Sequence, residues 1–127
     1  MKRVFKTRYF NRWMRKTELT DAALCIAVLE MTDGLIDAEL GGGVVKKRIG
    51  IAGRGKRGGV RILVATNKGS RWFFVYGFEK NDRANISGDE LEALQGIAEE
   101  LFGLSGRELK QAVEDNALQE ICHDTKN

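Results

Sequence analysis

The middle of the chain is crowded with lysines and arginines in a pattern that suits phosphate chemistry. Residues 41–80 hold ten of the 21 Lys and Arg residues and a single acidic residue, Glu79. The same segment contains two apolar, strand-like runs, Val60–Thr66 and Trp72–Phe78. Because strands hold side chains at fixed spacing, these cations are expected to present a rigid surface to the phosphates of a nucleic acid.

The residue types in this basic segment allow RNA cleavage without a metal ion or a histidine. RNA carries its own nucleophile, the 2′-hydroxyl. An enzyme must align this hydroxyl, remove its proton and stabilise the phosphorane that forms. An arginine fork can grip two phosphate oxygens, and a lysine crowded by other cations can act as the base. A metal-dependent nuclease would need a carboxylate cluster, and the only histidine, His123, lies in the acidic tail. We therefore expect no metal and no cofactor.

Further cations and one aromatic residue extend the candidate RNA-binding set. Gly53–Gly59 is predicted to be a glycine-rich loop that lets backbone amides and cations approach a phosphate together. It is not a nucleotide-binding P-loop, because the pattern Gly-x-x-x-x-Gly-Lys-Ser/Thr is absent. Tyr76 is the candidate for stacking on a base, because it carries a hydroxyl and adjoins the basic strands. The candidate RNA-binding residues are Lys46, Lys47, Arg48, Arg54, Arg57 and Tyr76.

The elements predicted around this segment make an α+β fold. One helix is predicted at Tyr9–Lys16, where aromatic and basic residues alternate, and a second begins after the N-cap Thr20 and ends at Asp33-Gly34. Capping boxes at Ser87–Glu90 and Ser105–Glu108 predict helices after the sheet. The sequence thus predicts two N-terminal helices packed on a small, mainly antiparallel sheet of three to four strands, followed by C-terminal helices.

Turn residues mark where the predicted sheet starts and folds back. Gly41–Gly43 predicts a tight turn into a strand at Val44–Ile51, and Asn67–Ser70 predicts a hairpin. The last apolar run, Leu118–Cys122, is compatible with a final helical turn or with an edge strand.

Composition sets the remaining expectations. The chain is 43% apolar and 31% charged, which describes a globular protein, and we expect one domain over residues 1–127, with residues 105–127 as a candidate appended helix. No apolar run is long enough to cross a bilayer, and Met1–Lys6 lacks the apolar core of a signal peptide, so we expect a cytoplasmic protein without a membrane partner. Cys25 and Cys122 are each expected to be a small buried residue.

Three stretches of the sequence resemble the RelE/HigB branch of the RelE/ParE toxin superfamily. They are Leu40–Ile49, Gly53–Arg61 and Phe78–Ile86, and the resemblance covers nearly the whole chain. It implies a toxin of a type II toxin–antitoxin module that cleaves mRNA in the ribosomal A site and so inhibits translation. It also implies a co-encoded antitoxin, which in this branch is commonly a helix-turn-helix DNA-binding protein.

The resemblance assigns roles to individual residues. Arg61 matches the strand arginine of the family that contacts the scissile phosphate, and Lys80 matches the basic residue that closes the last sheet strand. The positions from which the family draws its general base are matched by Lys46, Lys47 and Lys56. The predicted catalytic residues are Lys56, Arg61, Lys80 and, across the hairpin, Arg71.

Two positions depart from the family pattern. Val60 stands where members often carry an aromatic residue, and no tyrosine follows Gly77, although RelE uses one near its C-terminus. Tyr76 is the candidate substitute. Two other functions therefore stay open: a non-catalytic or decayed nucleic-acid-binding module, and a ParE-like inhibitor of DNA gyrase, which needs no phosphate-gripping loop.

Overall fold

The structure, a computed structural model, describes residues 2–51 and 55–123, without the side chains of residues 55–58. One six-stranded sheet has the strand order β2-β3-β4-β5-β1-β6, and no described helix is long and apolar enough to cross a membrane. The elements along the chain are β1 (Arg3–Thr7), α1 (Arg8–Met14), α2 (Asp21–Thr32), β2 (Ala38–Gly41), β3 (Val44–Ile51), β4 (Gly55–Thr66), β5 (Arg71–Glu79), α3 (Gly88–Phe102), α4 (Gly106–Glu114) and β6 (Leu118–Ile121).

The α+β class is confirmed, but the sheet is larger than the sequence predicts. The predicted count of three to four strands is wrong, because the sheet has three further strands: β1 before the helices, β2 before β3, and β6 after α4. β1 pairs in parallel with β5 and antiparallel with β6, so it lies inside the sheet with Phe5 fully buried. β1 was not predicted because it is only five residues long and pairs with strands far along the chain, so no hairpin turn lies beside it. Leu118–Ile121 is thus an edge strand.

The predicted helix starts are confirmed by their caps. The Thr20 hydroxyl accepts a hydrogen bond from the backbone N–H of Ala23, and α2 ends at Thr32 with Asp33 as its C-cap, before Gly34 at φ +93°. Ser87 and Ser105 each open a helix with a complete capping box. The first helix differs from the predicted Tyr9–Lys16: Thr7 caps it, so it starts one residue earlier, at Arg8, and it ends two residues earlier, at Met14.

Two apolar layers lie on the two faces of the sheet. On the face covered by α1 and α2 (the α1–α2 face), buried residues of the helices pack on alternate strand residues, among them Phe10, Leu24, Val28, Ile62 and Phe74. On the other face (the α3–α4 face), Leu94 and Leu109 pack on Phe5, Leu63 and Phe73. Strand residues therefore reach opposite surfaces according to their position along the strand.

A bulge in β5 determines which surface its second half presents. Leu63 on β4 pairs with Tyr76, whereas the next residue, Val64, pairs with Phe74, so Val75 is the additional residue. After the bulge, Tyr76 packs with the α3–α4 layer, and Gly77 faces Trp13 of α1 on the other side.

The two cysteines form a disulfide, which the sequence did not predict. Cys25 of α2 and Cys122, just after β6, are 97 residues apart, with a Cα–Cα distance of 5.6 Å. Both are half-buried, so the expectation of two separate buried residues is wrong. The pairing depends on β6, whose position beside β1 places the end of the described chain next to α2.

Candidate active site

Three predicted RNA-binding or catalytic cations lie side by side on the α3–α4 face. β3 and β4 pair so that Arg48 is directly opposite Arg61, and Lys46 is opposite Leu63. Residues two apart on a strand share a face, so Lys46 and Arg48 project on the same side as Arg61. Directly opposed residues have Cβ atoms about 4.5–5.5 Å apart, and like charges at that distance destabilise the pair. An anion bound between them would relieve that repulsion.

The Arg61 guanidinium has a hydrogen-bond donor that is left without a partner among the described residues. The residue is half-buried, and its Nη1 atom is buried without a hydrogen-bond partner among the described residues. Arg61 lies between two strands: on β3 it is opposite Arg48, and on β5 it is opposite the buried Phe78. A buried donor without an acceptor costs about 1–3 kcal/mol, and more when it is charged, so a phosphate oxygen would be a favourable partner.

A hydrogen-bonded network of Arg83, Glu90 and Tyr76 adjoins this arginine pair. The Arg83 guanidinium makes a two-pronged ion pair with Glu90, with Nη2–Oε1 at 2.5 Å and Nη1–Oε2 at 2.8 Å. The same Nη1 donates to the Tyr76 hydroxyl at 3.2 Å, and that hydroxyl donates to Glu90 Oε2 at 3.3 Å. The guanidinium carbon lies 5.8 Å from the centre of the Phe78 ring, the same ring that neighbours Arg61.

The protonation states of the network follow from these contacts. The Arg83 guanidinium, together with the backbone N–H of Ser87, lowers the pKa of Glu90 from 4.5 to about 2. Burial, followed by the nearby Glu90 charge, raises the pKa of Tyr76 above its usual 10. At neutral pH Glu90 is therefore ionised, and Tyr76 keeps its proton.

The other predicted residues at this end of the sheet are only partly described. Lys80 follows the last residue of β5 and is exposed. Lys56 and Arg57 lie on β4, but their side chains are outside the described part of the structure, and Arg54 lies outside the described residues.

Lys47 and Arg71 are placed away from the arginine pair. Lys47 is on the α1–α2 face, 7% exposed, and its Nζ contacts Glu30 at 3.0 Å and the Leu35 carbonyl at 2.9 Å. Arg71 begins β5 at the opposite end of the sheet and donates to the Leu104 carbonyl at 2.6 Å. At about 3.3 Å per residue, the seven residues from Arg71 to Phe78 span roughly 23 Å. The structure therefore does not bring these two cations to the candidate site.

Comparison with known proteins gives the family. A family model described as the RelE toxin of the RelE/RelB toxin–antitoxin system matches residues 2–121. The chain belongs to the RelE toxin family. It is thus a toxin of a toxin–antitoxin system, and it pairs with an antitoxin. A search of curated proteins found no match.

Three residues at the toxin's candidate site were not predicted. Arg83 lies within the stretch that resembles the family, yet its position before α3 gave no reason to select it. Glu90 has the appearance of an ordinary capping-box residue in the sequence, and it does cap α3. Tyr9 stacks on Tyr76 with ring centres 5.9 Å apart and planes at 7°. The only sequence signal for Tyr9 is the alternation of aromatic and basic residues around it.

The described side chains of the toxin offer no cluster of three or more His, Cys, Asp or Glu residues that could hold a metal ion. Among the described residues, the α3–α4 face carries the guanidinium groups of Arg48 and Arg61, the ammonium group of Lys46, and the hydrogen-bonded network of Arg83, Tyr76 and Glu90. Guanidinium groups can bind a phosphate, and lysine and tyrosine side chains can transfer protons to and from neighbouring hydroxyl groups.

Proposed function

We propose that this toxin is a metal-independent endoribonuclease that cleaves mRNA on the ribosome and so inhibits translation. The observation that carries the proposal is the directly opposed pair of Arg48 and Arg61, in which the buried Nη1 of Arg61 lacks an acceptor among the described residues. A phosphate diester supplies the acceptor oxygens and the negative charge that this pair needs.

The proposed reaction is an attack of the RNA on its own backbone. The 2′-hydroxyl oxygen forms a bond to the adjacent phosphorus, the bond to the 5′ oxygen breaks, and a 2′,3′-cyclic phosphate and a 5′-hydroxyl result. Arg61 holds the non-bridging oxygens and stabilises the extra negative charge of the phosphorane, with Arg48 beside it. Only RNA carries this nucleophile, so DNA is not a substrate.

Proton transfer is assigned to a lysine and to Tyr76. Lys46 or Lys56 takes the proton of the 2′-hydroxyl, and Tyr76 donates a proton to the leaving 5′ oxygen. Two features support the second assignment: Tyr76 keeps its proton at neutral pH, and its hydroxyl bonds to both Arg83 and Glu90. Lys80, exposed beyond β5, is assigned to binding of the substrate backbone.

The ribosome and the type of antitoxin enter the proposal through the family resemblance. RelE-like toxins act in the ribosomal A site, and we assign this chain the same cytoplasmic target. We also propose a helix-turn-helix antitoxin, encoded beside the toxin. An acidic segment of that antitoxin lying over the basic α3–α4 face would silence the toxin by electrostatic masking.

The test is controlled expression of wild type and Arg61→Ala in a bacterial host, with mRNA 5′ ends mapped by primer extension. We expect new cuts within translated codons, and we expect Arg61→Ala to lose both the cuts and the growth arrest. Arg107→Ala, which removes an exposed arginine of α4, is the matched control and should keep both.

Three outcomes would overturn the proposal. A folded Arg61→Ala protein that still cuts mRNA excludes Arg61 from the reaction. Growth arrest of the wild type with DNA-damage signalling and without mRNA cuts would indicate a gyrase inhibitor. A folded wild-type protein that causes no arrest would indicate a non-catalytic nucleic-acid-binding module.

A further inference from the structure

An exposed tyrosine connects the candidate site to helix α1. Tyr9, near the start of α1, is 58% exposed and stacks on Tyr76, whose hydroxyl belongs to the Arg83–Glu90 network. The rings of Tyr76 and Phe78 are themselves 6.4 Å apart. A row of aromatic rings thus leads from Arg61, beside Phe78, to the surface of α1.

Helix α1 and its C-cap residue, Arg15, present a stripe of arginines beside Tyr9. Arg8, Arg12 and Arg15 are spaced four and three residues apart, which places them on one side of the helix, and all three are exposed. Arg8 donates to the backbone carbonyls of Asp115 and Asn116, so it also supports the fold. The ion pairs found within residues 2–51 and 55–123 involve other cations, so the charges of Arg12 and Arg15 are available to a ligand.

Two adjoining grooves follow this row of residues. The first, about 470 Å³, is mainly apolar and includes Tyr9, Tyr76 and Ile97. The second, about 680 Å³, is polar and includes Arg12 and Arg15. Thr7 and Arg8 line both grooves, so the grooves meet at the start of α1. The second groove is also lined by Asn116, Gln119 and His123, and by Glu120, whose carboxylate is ion-paired with Arg3.

We propose that a single RNA strand extending from the active site runs along α1, with a base stacked on Tyr9 and phosphates paired with Arg12 and Arg15. This inference rests on the proposed ribonuclease function and extends it to a second surface. Single-stranded RNA is the partner that fits, because exposed rings bind bases and neighbouring cations bind the backbone. An acidic protein segment could form ion pairs with Arg12 and Arg15, but it would have no need for an exposed aromatic ring, Tyr9, beside them.

The first test measures how the affinity for RNA depends on salt. The probe is a fluorescein-labelled, single-stranded 2′-O-methyl oligoribonucleotide, which keeps bases and phosphates but lacks the nucleophile, so binding is observed whether or not the toxin cleaves. Each lost phosphate contact lowers the slope of log affinity against log salt by about 0.7 for a single strand. We therefore expect Arg12→Gln/Arg15→Gln to bind more weakly and with a slope reduced by roughly 1.4.

A matched double variant controls for net charge. Arg107→Gln/Lys110→Gln removes two exposed cations from α4 and should leave the slope unchanged. An unchanged slope in the Arg12/Arg15 variant, or an equal reduction in the α4 variant, would overturn the proposed path along α1. Normal RNA binding by the Arg12/Arg15 variant together with loss of antitoxin binding would also overturn it, because the stripe would then be a protein-binding surface.

The second test addresses the tyrosine. Tyr9→Leu should lower the affinity for the same probe by roughly tenfold with the salt slope unchanged, because it removes stacking and no charge. Wild-type affinity in this variant would overturn the stacking assignment. Neither result depends on cleavage, so failure of the path along α1 is distinguishable from failure of the ribonuclease proposal, which the mapped mRNA cuts report.

Discussion

Arg48 on β3 and Arg61 on β4 are directly opposed partners on one face of the sheet, although both carry a positive charge. Such a pair weakens the free protein by about 0.2–1 kcal/mol relative to neutral residues. It becomes favourable once a phosphate lies between the two guanidinium groups. The arrangement is thus better suited to a bound anion than to the stability of the free toxin.

Replacing Arg48 should separate stability from activity. For Arg48→Gln we expect a free energy of urea unfolding that is unchanged or up to about 1 kcal/mol higher, because a repulsion is removed. We expect mRNA cleavage to fall about tenfold or more, because a charge-assisted contact to phosphate is lost. Arg107→Gln on α4 serves as the control. Cleavage at the wild-type rate would contradict a role for the opposed pair.

Lys46 and Lys47 are adjacent in sequence but reach opposite faces, so their substitutions should have opposite effects. Lys46→Met should reduce cleavage and leave stability unchanged, since Lys46 projects beside Arg48. Lys47→Met should destabilise by about 1–3 kcal/mol, because the Leu35 carbonyl and Glu30 lose their buried partner, while the folded variant still cleaves mRNA. Thermal unfolding and primer extension on both variants measure the difference. Equal effects on activity would contradict the assignment of faces.

Acid should weaken the toxin partly through Glu90. Its pKa is about 2 in the folded protein and 4.5 as an ordinary glutamate, so its contribution is fully present above about pH 4.5 and is lost as the pH falls toward 2. Glu90→Gln should therefore lower stability at pH 7 and reduce the loss on acidification to pH 3. Urea unfolding at the two pH values tests this. A Glu90→Gln variant with the wild-type pH dependence would show that the Arg83 ion pair does not operate in solution.

Gly77 should tolerate no side chain. A Cβ atom at this position would lie 2.3 Å from Cζ3 of Trp13, so the indole ring would have to move. We expect Gly77→Ala to cost about 1–3 kcal/mol in the free energy of unfolding. Gly96→Ala is the matched control, because Gly96 lies in α3 and, apart from its chain neighbours and the backbone of its own helix, no atom lies within 4 Å of an added Cβ. It should stabilise by about 0.5–1 kcal/mol. A neutral Gly77→Ala would contradict the packing of α1 on β5.

Breaking the disulfide between Cys25 and Cys122 should lower stability. Closing a loop of this length restricts the unfolded chain by up to about 4–5 kcal/mol. We expect Cys25→Ser/Cys122→Ser to unfold at lower urea concentration than the oxidised wild type, and reductant to lower wild-type stability without affecting the variant. Equal stability of oxidised wild type and variant would show that the bond contributes nothing.

Local signals determined most of the elements. Serine and threonine caps fixed the starts of α2, α3 and α4, because a cap and its N3 partner are only three residues apart. The strand Val44–Ile51 and the turn Asn67–Ser70 were likewise predicted from neighbouring residues. The basic segment and its resemblance to RelE indicated the family, which the family model confirms.

Only the tertiary structure decided which side chains meet. The parallel pairing of β1 with β5 and the bond between Cys25 and Cys122 join residues roughly 70 and 97 positions apart. The bulge at Val75 and the fold-back of Arg83 onto Glu90 and Tyr76 likewise have no local signature. Residue type and spacing predicted a concentrated set of cations on the sheet strands. Strand register decided that Arg61 belongs to the candidate site and Lys47 does not, because neighbouring strand residues point to opposite faces.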